Sequence, residues 1–205
     1  MRHTFAIAAI ALSVLAAPGV GLAQASTTNP AEAKAGSYAA DPAHTKVTWS
    51  VNHFGFSTYT GQFSQVAGTL KVDPKAVGTT SLDVTVQTAS IGTFNPALDT
   101  HLKSADFLDV GKFPTATFKA TAVKATGERT ADITGDLTLH GVTKPVVIHA
   151  TFNRAGMNPV DRAGYRLGFA GKTVIKRSDF GIKTYVPAIG DDVTLDIEAE
   201  FRAAS

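Results

Sequence analysis

From Tyr38 onward, short segments alternate apolar with polar residues and are separated by Gly, Pro, Asp and Asn. Side chains on an extended strand point to opposite faces in turn, so this spacing makes strands with one apolar face. Lys46 to His53 puts Val47, Trp49 and Val51 on one face and Thr48, Ser50 and Asn52 on the other. Leu82, Val84 and Val86 alternate with Asp83, Thr85 and Gln87, and Ile133, Leu137 and Leu139 alternate with Asp132, Thr134, Asp136 and Thr138. Val146, Ile148 and Phe152 form a further apolar face, as do Tyr165, Leu167 and Phe169, and then Val193, Leu195, Ile197 and Phe201. Tyr59 to Val72, with a candidate bend at Gly68, and Thr115 to Val123 bring the expected total to about eight strands.

One region breaks the period. Asn95-Pro96 offers an N-cap followed by a proline at the first helical position, Ser104 offers a second cap, and Pro114 stops the chain before the next strand. Pro96 to Val110 is therefore expected as one or two short helices. Gly141 to Lys144 is a candidate tight hairpin, and Met157 to Gly164 a looser one. The fold class is all-β and antiparallel. About eight such strands remove their exposed edges by closing into a barrel or pairing into a sandwich. An eight-stranded barrel has an interior either packed with side chains or just able to hold one ligand. Alternation by itself does not choose among these.

The N-terminus is written differently. Arg2 and His3 precede an apolar run of 13 residues from Phe5 to Ala17, and Ala23-Gln24-Ala25 supplies a small-x-small exit. These are the parts of a cleavable secretory signal peptide, and the run is shorter than the roughly 20 residues of a spanning helix. Residues 1–25 are expected to be the signal peptide, cleaved after Ala25, and residues 26–37 a disordered leader. Residues 38–205 form one barrel domain, and the expected location is the periplasm. The chain has no Cys, which excludes thiolate metal sites and thiol catalysis. Without Arg2 it has 18 basic against 17 acidic residues, a net charge of about +1, and no concentrated positive charge to recruit nucleic acid.

Several stretches resemble the YceI-like family of periplasmic polyisoprenoid-binding proteins. They are DPAHTKVTWSVNHFGFSTYTGQFSQVAGTL from Asp41 to Leu70, HLKSADFLDVGKFPTATF from His101 to Phe118, and GDLTLHGVTKP from Gly135 to Pro145. RSDFG from Arg177 to Gly181 and the segment from Gly190 to Glu200 complete the set in family order. Lys103 stands where Arg is expected at least as often in the family, and the charge is kept. The resemblance implies an eight-stranded lipocalin-like barrel and a homodimer. It also implies a cavity for a long polyisoprenoid or similar lipid; a quinone-like or other amphiphilic ligand and transient membrane contact are further expectations.

The residues that would carry such binding are mostly apolar, as ligand sites generally are. Candidate cavity-lining residues are Val51, Phe54, Phe56, Phe63, Phe107, Leu108, Leu137, Leu139, Phe169 and Phe180, with Phe107 and Leu108 also placed to act as a lid. Trp49, in mid-strand, reads as core. Candidate polar anchors are His53, Arg177 and Asp179. An Arg could hold a phosphate head group, but residues i and i+2 on a strand share a face, so an Arg177–Asp179 pair fixing the strand end is favoured. The histidines show no local metal-ligand spacing, and a turn at Gly141 to Lys144 would bring His149 toward Asp136. No Gly-x-Ser-x-Gly, P-loop or dinucleotide fingerprint is present. The expectation is binding without catalysis, with neither metal nor cofactor. The alternatives are a stress-related structural or partner-binding domain with a solid core, and an enzyme acting on an apolar substrate through His53, Arg177 and Asp179.

Overall fold

A computed structural model of the chain describes residues 26–160 and 164–204. The signal peptide expected at residues 1–25 lies outside them. Eight strands run up and down in chain order and close into a barrel. Strand β1 comprises Gly36–Ala40 and Lys46–His53, β2 Ser57–Phe63 and Val66–Val72, and β3 Ser81–Gln87 with the short Ile91–Gly92. The others are β4 (Thr115–Ala125), β5 (Thr130–Leu139), β6 (Val142–Met157), β7 (Tyr165–Lys176) and β8 (Ile189–Ala203). Both halves of β1 pair with β8, Tyr38 opposite Ala203 and Trp49 opposite Leu195, which closes the ring and leaves no long edge.

The first three strands are each broken once, and for β1 the reason is readable. In β1, Pro42 has no amide hydrogen to give the ladder, and the Asp41 carboxylate accepts from the Ala43 amide at 3.1 Å to form a side-chain turn. The β2 break falls at Ser64-Gln65, not at Gly68. Between β4 and β5, and again between β6 and β7, the register slips at a bulge.

Helix α1 spans Pro96–Lys103, with the Asn95 side chain accepting from the Leu98 amide at 3.2 Å. The expected second helix is a run of turns instead. Ser104 caps α1 at its C-terminal end, and the chain folds back with the Leu108 amide on the Leu102 carbonyl at 3.1 Å. The β5–β6 hairpin turns at His140-Gly141, earlier than Gly141 to Lys144, and both residues have positive φ (51° and 76°), as a two-residue turn of this kind requires. A Cβ on Gly141 would stand 2.5 Å from the Phe113 ring. The earlier turn resets the register, so His149 meets Asp132 at 2.7 Å and not Asp136.

Residues 26–37, expected as a disordered leader, have a defined course. Thr27 pairs with Ala155, Pro30–Glu32 make a turn of 3-10 helix capped by Asn29, and β1 begins at Gly36. This segment lies across one end of the barrel, called the far end below. The other end, carrying α1, the β1–β2 and β5–β6 hairpins and the β7–β8 connection, is the helix end. Among the described residues no helix is long and apolar enough to cross a membrane.

Buried apolar side chains form two clusters, one toward each end. Tyr38, Leu70, Phe152, Tyr165, Leu167 and Phe201 pack at the far end, and Trp49, Ile91, Leu108 and Ile182 at the helix end. Between them the interior is not filled.

Candidate functional site

The inward faces of all eight strands enclose a lumen of about 720 Å³ that runs between the two clusters. Ligand cavities range over roughly 300–1,000 Å³. Its wall is built by the period-two faces: Val47, Trp49, Val51 and His53 on β1, Leu82, Val84 and Val86 on β3, and Val193 through Phe201 at alternate positions on β8. Many of these side chains are only half-buried, because they face empty space rather than each other.

Two inward rings are kept from bridging that space. On β1, Trp49 lies over Gly61 of β2, where an added Cβ would sit 2.4 Å from its ring, and on β4 Phe118 lies over Gly135 of β5, again at 2.4 Å. A glycine facing inward beside a large ring lets the ring lie against the wall. Trp49, read as core from the sequence, therefore both belongs to the helix-end cluster and lines the lumen. Its indole N–H is buried with no hydrogen-bond partner among the described residues.

Of the predicted lining residues, Val51, Phe63, Phe107, Leu108, Leu137, Leu139 and Phe169 line the lumen. Three do not. Phe54 and Phe56 stand outside at the tip of the β1–β2 hairpin, because the chain turns immediately after His53 and strand parity stops there. Phe180 is 2% exposed, packed under the turn after β7 and outside the lumen lining. Lining residues that the sequence reading passed over include Leu98 and Leu102, which α1 lowers over the opening, and Ile182. Their spacing, i and i+4 on a capped helix, was the available signal for the first two.

The three predicted polar anchors do not converge. His53 lines the lumen at the helix end, its ring 4.6 Å from Phe54 and 6.0 Å from Tyr59. Arg177 is 6% exposed and reaches the lumen wall, but its guanidinium is spent on backbone carbonyls. It donates to Gly190 and Ile189, both at 2.9 Å, to Thr184 at 2.8 Å and to Ile182 at 3.2 Å. Burial pushes its pKa below the usual arginine value, and Asp191 opposes the shift. Arg177 is thus the brace of the β7–β8 connection. The pair with Asp179 does not form, because the chain leaves β7 for a 3-10 turn at Arg177–Phe180 and the i, i+2 rule of strands no longer applies. Asp179 is exposed outside the lumen. The neighbouring carboxylate engaged in the turn is Asp191, which accepts from the Ser178 amide and hydroxyl at 2.9 and 2.7 Å.

A second charged group lies at the break in β1. Asp41, 3% exposed, accepts from Arg202 at 2.9 Å and pairs with His44 at 2.7 Å and Arg166 at 3.4 Å; Arg166 also reaches Glu200 at 3.1 Å. Asp41, His44 and Glu200 could be grouped around a cation by distance alone, their ligand atoms lying within 4.8 Å of one another. The two guanidinium groups already occupy those carboxylates. Burial pushes the Asp41 carboxyl up, but the hydrogen bonds from His44, the Ala43 amide and Arg202 outweigh it and hold the pKa below the usual aspartate value.

A closed eight-stranded antiparallel barrel with an apolar through-running lumen and a short helix over one end is a lipocalin-like barrel. The model of the YceI-like domain matches residues 38–201, and the chain belongs to that family. A UPF0312 protein of Pseudomonas savastanoi is 46% identical over 159 residues, covering 78% of this chain and 80% of its own length. The crystal structure of the Campylobacter jejuni YceI protein superposes with a TM-score of 0.67 at 30% identity, over 75% of this chain and 90% of the other. A polyisoprenoid-binding domain from Saccharophagus degradans shares the fold with a TM-score of 0.64 at 14% identity, over 83% of this chain and all of the other.

Proposed function

We propose that the protein carries a long polyisoprenoid, a quinone-like molecule or a similar amphiphilic lipid in its lumen, and does no chemistry on it. The observation that carries this is the unfilled apolar lumen, walled by residues from every strand and about 720 Å³ in volume. An interior designed only for stability would be packed to near-crystalline density. The Saccharophagus domain, named for polyisoprenoid binding, supports the ligand class. Each isoprene unit of five carbons gains about 4 kcal/mol on leaving water, at roughly 0.8 per carbon. A bilayer offers nearly the same gain, so uptake from a membrane is close to neutral per unit. The barrel's advantage is keeping the chain dry in aqueous transit. On this reading residues 1–25 direct export to the periplasm, and the working form is a homodimer.

The absence of catalysis is supported by the placement of the polar candidates. His53, Arg177 and Asp179 do not face a common point, and Arg177 has most of its donors engaged by the backbone. The test is native mass spectrometry of protein purified from a periplasmic extract, followed by organic extraction. A single co-purifying apolar species of defined mass supports carriage and names the lipid. Protein that runs empty, and gains neither mass nor thermal stability with prenyl lipids or quinones, overturns the proposal.

A further inference from the structure

Every exposed Phe, Tyr or Trp among the described residues lies at the helix end. Phe54 and Phe56, at the tip of the β1–β2 hairpin, are 48% and 90% exposed; Phe94, just before α1, is fully exposed; Tyr185, between β7 and β8, is 54% exposed. The segments that carry them surround the lumen opening and are tied together. The Phe54 amide donates to the Ala188 carbonyl at 3.1 Å, and the Thr184 hydroxyl donates to the Asp106 carbonyl at 2.6 Å. The pairing of Gln62 with Gly92 sends the chain beyond Gly92 along β2 toward the same hairpin. The rings are also continuous with the lumen wall: Phe54 touches His53 at 4.6 Å and Tyr185 touches Phe107 at 6.3 Å, both lumen residues.

Three of the four rings stand on strained backbone. Phe54, Phe94 and Tyr185 have φ of 54°, 61° and 61°, a left-handed conformation that Gly or Asn adopts with less strain than a bulky residue. Phe94 makes no ring contact within the described chain that would offset this. Exposed aromatic rings held at a strained, lumen-bordering rim point to a partner outside the fold.

We infer that this rim docks on a lipid bilayer surface, the four rings entering the interface and setting the lumen mouth against the acyl chains. The inference rests on the proposed carriage of a lipid, whose donor phase is a membrane. Tyr and Phe rings partition into the interfacial layer. Ser26, the first described residue, lies against Gly156 at the far end, away from this rim. A second copy seated here would seal the opening through which the cargo passes. The segments at this end carry no net charge: Lys103, Lys112, Lys144, Lys176, Arg177 and Lys183 are equal in number to Asp99, Asp106, Asp109, Asp179, Asp191 and Asp192. Docking is therefore driven by the rings and needs no anionic lipid.

The experiment is flotation with neutral phosphatidylcholine vesicles, using the full protein and the variants Phe56→Ser, Phe94→Asn and Tyr185→Asn. Each substitution should weaken vesicle binding by about tenfold, since one ring leaves the apolar phase. Binding should be unchanged by high salt. Phe94→Asn, which loses no ring contact, should melt at higher temperature than the parent, which separates lost docking from lost folding. Uptake of a long-chain polyprenol from cyclodextrin should be unchanged in all variants, while uptake from vesicles falls with flotation. Variants that float like the parent, binding abolished by salt, or conversion of dimer to monomer with flotation intact would each overturn the inference. A parent protein that floats but takes up no polyprenol from cyclodextrin would instead overturn carriage and leave docking supported.

Discussion

At the scale of single residues, Asp41 holds more of the barrel's closure than its surface neighbours do. It sits where β1 breaks and ties β1 to β7 and β8 through Arg166 and Arg202. Removing its charge takes a buried carboxylate away from two guanidinium groups, while Glu200 still faces Arg166 and offsets part of the loss. Asp41→Asn should therefore destabilise the fold by about 3 kcal/mol in urea unfolding, the low end for a broken buried pair. The sign of the pH effect follows from the depressed carboxyl pKa. The stabilisation is complete above the ordinary aspartate range and is lost as pH falls through the lower folded value. The parent should lose stability across that acid window, and the Asn variant should show a flatter limb there. Identical limbs would place the acid sensitivity elsewhere. None of this pairing was readable from the sequence, because Asp41 and Arg202 are distant in the chain and only barrel closure joins them.

Among the elements, α1 is the one laid over the helix end of the lumen, so its local stability is expected to set access there. Its eight residues are held by the Asn95 cap and a first-position proline, and Leu98 and Leu102 cover the opening from its inner face. A helix this short has little stability of its own. Asn95→Ala should cost about 1 kcal/mol, raising the open population about fivefold. Lipid release, followed by stopped-flow transfer of a fluorescent prenyl lipid to acceptor vesicles, should quicken by a similar factor. Unchanged release would show that the lipid leaves elsewhere. The helix start was evident from Asn95-Pro96, and the strands were evident from their period. The turn after β7 was not, because RSDFG is compatible with a strand end until the Arg177 carbonyl contacts, which come from residues 182–190, are in place.

For the whole molecule, the unfilled lumen is a deliberate departure from the density of an ordinary core. Val84 on β3 and Val146 on β6 face it from strands three apart around the ring. Replacing both with Phe should fill part of the space and stabilise the empty barrel by about 1–2 kcal/mol. The same change should abolish uptake of a long prenyl chain. Differential scanning calorimetry and native mass spectrometry on one sample read both effects. A filled barrel that still binds the lipid would mean that the lumen is not the site.

The amino-acid sequence by itself determined the strand period, the inward parity of each strand, the capped helix and the family, because each is carried by local spacing or by short contiguous motifs. Whether the inward residues met in a packed centre or left a lumen depended on barrel closure and on Gly61 and Gly135, which let Trp49 and Phe118 lie against the wall. Phe54 and Phe56 were expected inside and stand outside because the chain turns after His53. Parity along a strand is a local property, but the residue at which the chain turns out of the barrel is decided by the pairing of β1 with β2 and β8.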